Sequence, residues 1–120
     1  MEGAEFFYYP VSEKSAPNYR SIVSQPMDLQ TIRAHLQSHD YTTREEFIRD
    51  LKLVRDNSAL FNGASSHLTE SANSMFEQCL KMMMVKEEKL MRLEKAINPL
   101  LDEDDFVGFV YILEQVMTFR

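Results

Sequence analysis

Asn62 closes an apolar helical run and is followed by Gly63, which puts a neutral amide, with two N–H donors and a carbonyl, at an exposed helix end. Such a group is neither base nor nucleophile. Its chemistry is to anchor one polar atom of a neutral ligand at the mouth of an apolar gap. An Asn-Gly pair in this position is also the ordinary cap of a helix C-terminus, and on its own the pair leaves both readings open. His35 and His39 share the i, i+4 spacing that can hold a metal, but no Glu lies between them and no third ligand is evident, so a solvated helix end is favoured. The acidic run "DEDD" (102 to 105) reads as charge at a helix start rather than a metal site. Cys79, the one cysteine, lies among apolar residues; it rules out a disulfide within the chain and reads as a buried, inert thiol in a reducing compartment. No nucleophile stands at a recognisable spacing from a base, and no glycine-rich phosphate loop occurs, so neither an enzyme nor a cofactor is expected.

The elements that would position Asn62 follow from composition and periodicity. With 120 residues, 44% hydrophobic and 27% charged, one globular domain with one core is expected. No apolar run has the length of a bilayer span, and Met1 to Glu5 lack the features of a secretory signal, which predicts an intracellular chain. A net charge of −6 argues against a surface that tracks nucleic-acid phosphates and favours basic partners such as cationic tails.

Residues 1–27 show no helical stripe and read as a long loop. Asp28 can cap a first helix, over about 28–38, whose Leu29, Ile32 and Leu36 share a face. Thr43 and Glu46 make a capping-box pattern for a second helix over about 43–61, with Phe47, Leu51, Val54, Ser58 and Phe61 on one side. Ala72, Met75, Phe76, Cys79, Leu80, Met83, Leu90, Leu93 and Ile97 extend a third over about 68–97, in which some of Met82 to Met84 face the core, and Asn98 and Pro99 stop it. A linker, 98–104, leads to a last helix, 105–120, with Phe106, Phe109, Val110, Leu113, Val116 and Met117 on its apolar face. No strand-like alternation appears, so the fold class is all-α, a four-helix bundle.

Three stretches then agree jointly: "FFYYPV" (6 to 11), "PNYRSIVSQPMDLQTI" (17 to 32) and "NSALFNG" (57 to 63). Pro-Met-Asp opens a helix, a Tyr stands seven residues before that Pro, and a helix-ending Asn stands thirty-six after it. Together they resemble a bromodomain over about residues 6–97, which implies a left-handed four-helix bundle. The segment "EEKLMRLEKAINPLLDEDD" (87 to 105) resembles the connector between the paired bromodomains of the general transcription factor TFIID, and 105–120 the opening helix of a following bromodomain.

The resemblance implies an acetyl-lysine reader in the nucleus, acting on acetylated histone tails beside other transcription initiation subunits, with no direct nucleic-acid or membrane contact. By it, Asn62 donates to the acetyl oxygen, Tyr19 reaches that oxygen through a water, Val11 and Leu68 line the walls, Phe7 meets the methyl, and Pro10 and Phe61 complete the pocket. Phe61 replaces a usual Tyr and removes a hydroxyl; Arg20 replaces a second Tyr; Glu5 and Phe6 replace an aromatic-Pro shelf. The family's first helix has no counterpart ahead of the aromatic run. Residues 105–120 are therefore expected to fold back in its place, within one chain or by swapping between two, which would bring Arg120 near Gly3. The alternative function is a structural or protein–protein interaction module with a degenerate pocket.

Overall fold

The computed structural model describes residues 7–12, 14–97 and 103–118, with side chains placed at 7–12, 14–93 and 108–117. Six helices follow one another, and no strand occurs among the described residues: α1 Tyr19–Ile22, α2 Leu29–Gln37, α3 Arg44–Asn62, α4 His67–Val85, α5 Glu87–Ile97 and α6 Glu103–Thr118. None is long and apolar enough to cross a membrane.

Helix starts are set by side chains that satisfy the orphan N–H groups of the first turn. Asp28 accepts from the Thr31 amide at 2.9 Å and from the Thr31 hydroxyl at 2.6 Å. Thr43 and Glu46 form the full reciprocal capping box of α3. Ser66, unnoticed in the sequence, caps α4 by accepting from the Leu68 amide at 3.1 Å. The end of α2 is a Schellman motif: the Asp40 amide donates to the His35 carbonyl at 2.9 Å and the His39 amide to the Leu36 carbonyl at 3.1 Å. His39 stands at the left-handed position of that motif, with φ 59°, where glycine is the usual residue.

The predicted stripes meet in one core. Leu29, Ile32 and Leu36 of α2, Phe47, Leu51 and Val54 of α3, Met75, Phe76, Cys79 and Met83 of α4, Leu90 of α5, and Phe109, Leu113 and Val116 of α6 are all buried together. The longest interface is the antiparallel α3–α4 pair; α6 lies against α2, α4 and α5. Cys79 is fully buried on the α6 side, its thiol 3.7 Å from the Val116 carbonyl, and burial pushes its pKa up to about 12. Of Met82 to Met84, only Met83 is buried, while Met84 is 72% exposed.

Three expectations change. The helix predicted over 68–97 is two helices, broken at Lys86, whose amide is shared between the carbonyls of Met82 and Met83. Periodicity cannot register this break because Met83 and Leu90, two turns apart, are buried on both sides of it and the stripe runs straight through. The segment 1–27, read as loop, holds the one-turn helix α1, closed by the Val23 amide on the Tyr19 carbonyl at 2.8 Å; four residues are too few for a stripe. The last helix begins at Glu103 rather than 105. The expected approach of Arg120 to Gly3 lies outside the described residues.

Burial pushes the Glu46 carboxyl up, but hydrogen bonds from Thr42 and Thr43 outweigh it and hold the group below its usual 4.5. A depressed carboxyl adds stability above its unfolded pKa and loses it as pH falls through the folded one. Denaturant melts should therefore show wild type ahead of Glu46→Gln by about 0.5 kcal/mol at pH 7, with the gap closing as pH falls through the lowered pKa of the folded state. His39→Gly should raise stability by about 0.5–1 kcal/mol in the same assay, because it relieves the left-handed conformation at the end of α2.

Candidate functional site

At the end of the bundle where α3 stops, the loop before α2 folds over the helix and leaves a cavity of about 160 Å³. Its lining falls into three groups. Phe7, Tyr9 and Val11 come from the aromatic run, Tyr19 and Met27 from α1 and the approach to α2, and Val54, Ser58, Phe61, Asn62 and Leu68 from α3 and the start of α4.

The local sequence explains each wall. Gly63, with φ 97° and ψ 147°, turns the chain out of α3 in a conformation that side chains disfavour, which leaves Asn62 as the last helical residue. A Cβ on Gly63 would meet nothing within 4 Å, so the demand for glycine there is one of backbone angle and not of space. The loop is tied down from below by Asn57, a 5% exposed residue one turn before the site, whose amide donates to the Gln25 carbonyl at 2.8 Å. It is tied at its start by the Gln30 amide donating to the Tyr8 carbonyl at 2.8 Å. Tyr19 is buried against Phe61, ring centroids 4.9 Å apart in an edge-to-face pair, and burial raises its phenol pKa. Tyr19 therefore stays a neutral hydroxyl at any physiological pH.

Asn62 is not isolated at the rim. Its Nδ2 donates to the Ser58 hydroxyl at 3.2 Å; Ser58 is 3.1 Å from the Thr69 hydroxyl, and Thr69 donates to the Gly63 carbonyl at 2.7 Å. The remaining surface is mostly apolar, from Phe, Met, Val and Leu side chains and the two tyrosines, Tyr9 and Tyr19. A neutral group with one carbonyl fits such a site, whereas an ammonium would lose hydration and find no carboxylate among the lining residues.

Six of the residues singled out in the sequence, Asn62, Tyr19, Val11, Leu68, Phe7 and Phe61, line this one cavity. Pro10 does not; it is exposed and lies between two lining residues, Tyr9 and Val11. Sequence reasoning missed Tyr9, Met27, Val54 and Ser58. Ser58 and Val54 stand one and two turns before Asn62, so the helical period itself points to them. Tyr9 and Met27 carried no signal, because a loop has no period. The two histidines part company: His35 Nδ1 lies 2.7 Å from an Asp40 carboxylate oxygen, and His39 is the left-handed residue just past the end of α2. No group of three or more His, Cys, Asp or Glu suited to a metal occurs among the described residues.

Comparison with known proteins bears on the same residues. The chain is 48% identical over 110 residues, 92% of its length, to Transcription initiation factor TFIID subunit 1 of Drosophila melanogaster. It is 38% identical over 117 residues to the protein of that name from Caenorhabditis elegans, and 33% identical over 78 residues, 65% of its length, to Bromodomain-containing protein 9 of Danio rerio. It spans only 5% and 7% of the length of the two TFIID subunits, and 12% of the third protein. The sequence model of the bromodomain family matches residues 2–74, which carry the aromatic run, the Pro-Met-Asp helix start and Asn62, and the chain belongs to the bromodomain family.

Proposed function

We propose that this domain is an acetyl-lysine reader, a binding module without catalysis, which takes acetylated lysine on basic protein tails such as those of histones. The observation that carries the reading is Asn62: one exposed amide on the lining of a mostly apolar cavity that a neutral, buried Tyr19 also lines. In this reading Asn62 donates to the acetyl oxygen and Tyr19 reaches it through a water, while Val11 and Leu68 flank the lysine stem and Phe7 meets the methyl. Tyr9, Met27 and Val54 extend the apolar wall. The names of the relatives support a place in the nuclear transcription machinery beside other initiation factor subunits.

The attraction is modest by its parts. One net hydrogen bond contributes about 0.5–1.5 kcal/mol, apolar contact adds about 25 cal/mol per Å², and lost translational freedom offsets much of both. Affinity in the micromolar to millimolar range is the consequence. The net charge of −6 adds salt-sensitive steering of cationic tails and opposes contact with nucleic acid or anionic membrane.

The packing of α6 on α2 and α4 supports a second element of the proposal: α6 stands in for the family's first helix, and does so within one chain. In a tandem protein the same helix would open the following domain.

Titration of the ¹⁵N-labelled domain with an acetylated histone-tail peptide should shift the Asn62 amide and the signals around Gly63 and Leu68, and the unacetylated peptide should not. Asn62→Ala should keep the dispersed spectrum and weaken binding at least tenfold, about 1.4 kcal/mol. A folded wild-type domain blind to the acetylated peptide would leave the interaction-module reading in its place. Sedimentation equilibrium should give the single-chain mass of 14.1 kDa; twice that value would favour a swapped pair.

A further inference from the structure

Proton counting along the buried hydroxyls behind Asn62 gives them a direction. The Gly63 carbonyl can only accept, so the Thr69 hydroxyl spends its single proton on it, at 2.7 Å. Thr69 therefore has no proton for Ser58, and the 3.1 Å contact between them requires Ser58 to donate. With its own proton spent, Ser58 can only accept from Asn62, and the group at 3.2 Å must be Nδ2–H and not the amide oxygen. Were the Asn62 amide turned over, its oxygen would face an oxygen with no proton to offer.

We propose that Ser58 and Thr69 are positioning residues for Asn62, a one-way relay that fixes which end of its amide meets the ligand. The inference rests on the acetyl-lysine reading and deepens it. One Nδ2–H is held by Ser58, and the second is left for a ligand carbonyl. Both hydroxyls are themselves withdrawn from solvent, Ser58 at 5% and Thr69 at 2% exposure, so water does not compete for their protons as it would at a surface. The relay also joins the two helices across the turn, because Thr69 of α4 holds the carbonyl of the residue that ends α3.

Removing the first donor should release the whole sequence of bonds. In Thr69→Val, Ser58 loses its acceptor and is free to donate to the Asn62 oxygen, which favours the overturned amide. The affinity for an acetyl-lysine peptide then falls in proportion to the competent fraction, about two- to tenfold. Thr69→Ser keeps the donor and should restore wild-type affinity, which a role in packing alone would not achieve, since the methyl is lost. Ser58→Ala, a second variant in case Thr69→Val fails to fold, removes the acceptor for Asn62 and should cost about twofold as the two orientations equalise.

The variants are compared by calorimetric titration with one acetylated peptide, alongside water exchange of the two Asn62 Nδ2 protons in the free protein. One slow and one fast proton in wild type and Thr69→Ser, and two fast ones in Thr69→Val and Ser58→Ala, is the expected pattern. Folded Thr69→Val with wild-type affinity and a retained slow proton would overturn the relay. If wild type binds no acetylated peptide, the reader function fails; the exchange pattern still decides the relay, since equal exchange of the two protons in wild type would refute it.

Discussion

The cavity depends on where α3 stops. Its last turns supply Val54, Ser58, Phe61 and Asn62 to the lining, and this end is rigid because the faces of the same helix that carry Leu51 and Val54 are locked into the core against α4. Gly63 ends the helix by adopting a φ of 97°, and the carbonyl it presents is taken up at once by Thr69. Without that termination another turn of helix would carry Asn62 into the middle of a cylinder, its amide facing whichever side the period dictated. A helix end fixed by packing on one side and by a left-handed residue on the other leaves the amide at a defined point in space.

The loop opposite is held by a different kind of force. Its tip buries little of itself, since Tyr8, Tyr9, Pro10 and Val11 are all exposed, while Tyr19 and Val23 nearer α2 are buried. What fixes it are single hydrogen bonds to firm elements, Asn57 to the Gln25 carbonyl and Gln30 to the Tyr8 carbonyl, together with the Tyr19–Phe61 ring pair. Such ties are individually worth about 1 kcal/mol. One wall of the pocket is therefore as firm as the core, and the other is adjustable at low cost, which suits a site that must admit an extended peptide.

Much of this was legible in sequence. The caps at Asp28 and Thr43, the stripes of α2, α3 and α6, and the burial of Cys79 follow from rules that act within one or two turns of helix, and the structure carries them, save at Phe106, whose side chain lies outside those described. Asn62, Tyr19 and Pro-Met-Asp identified the family because their spacing is a joint property of the chain. The break at Lys86 and the short α1 escaped, the first because the apolar stripe is continuous across it, the second because a single turn has no period.

What the sequence by itself determined, then, is the helices, their buried faces and the presence of a lone amide after an apolar run, since each of these is settled by neighbours a few positions away. The tertiary structure alone decided which loop residues join Asn62, bringing Tyr9 and Met27 in and leaving Pro10 out. It alone set Thr69 behind Ser58, eleven residues apart across a helix turn. The physical reason is that hydrogen bonds and packing act over a few ångströms in space, and the chain brings distant residues to that range only when it folds.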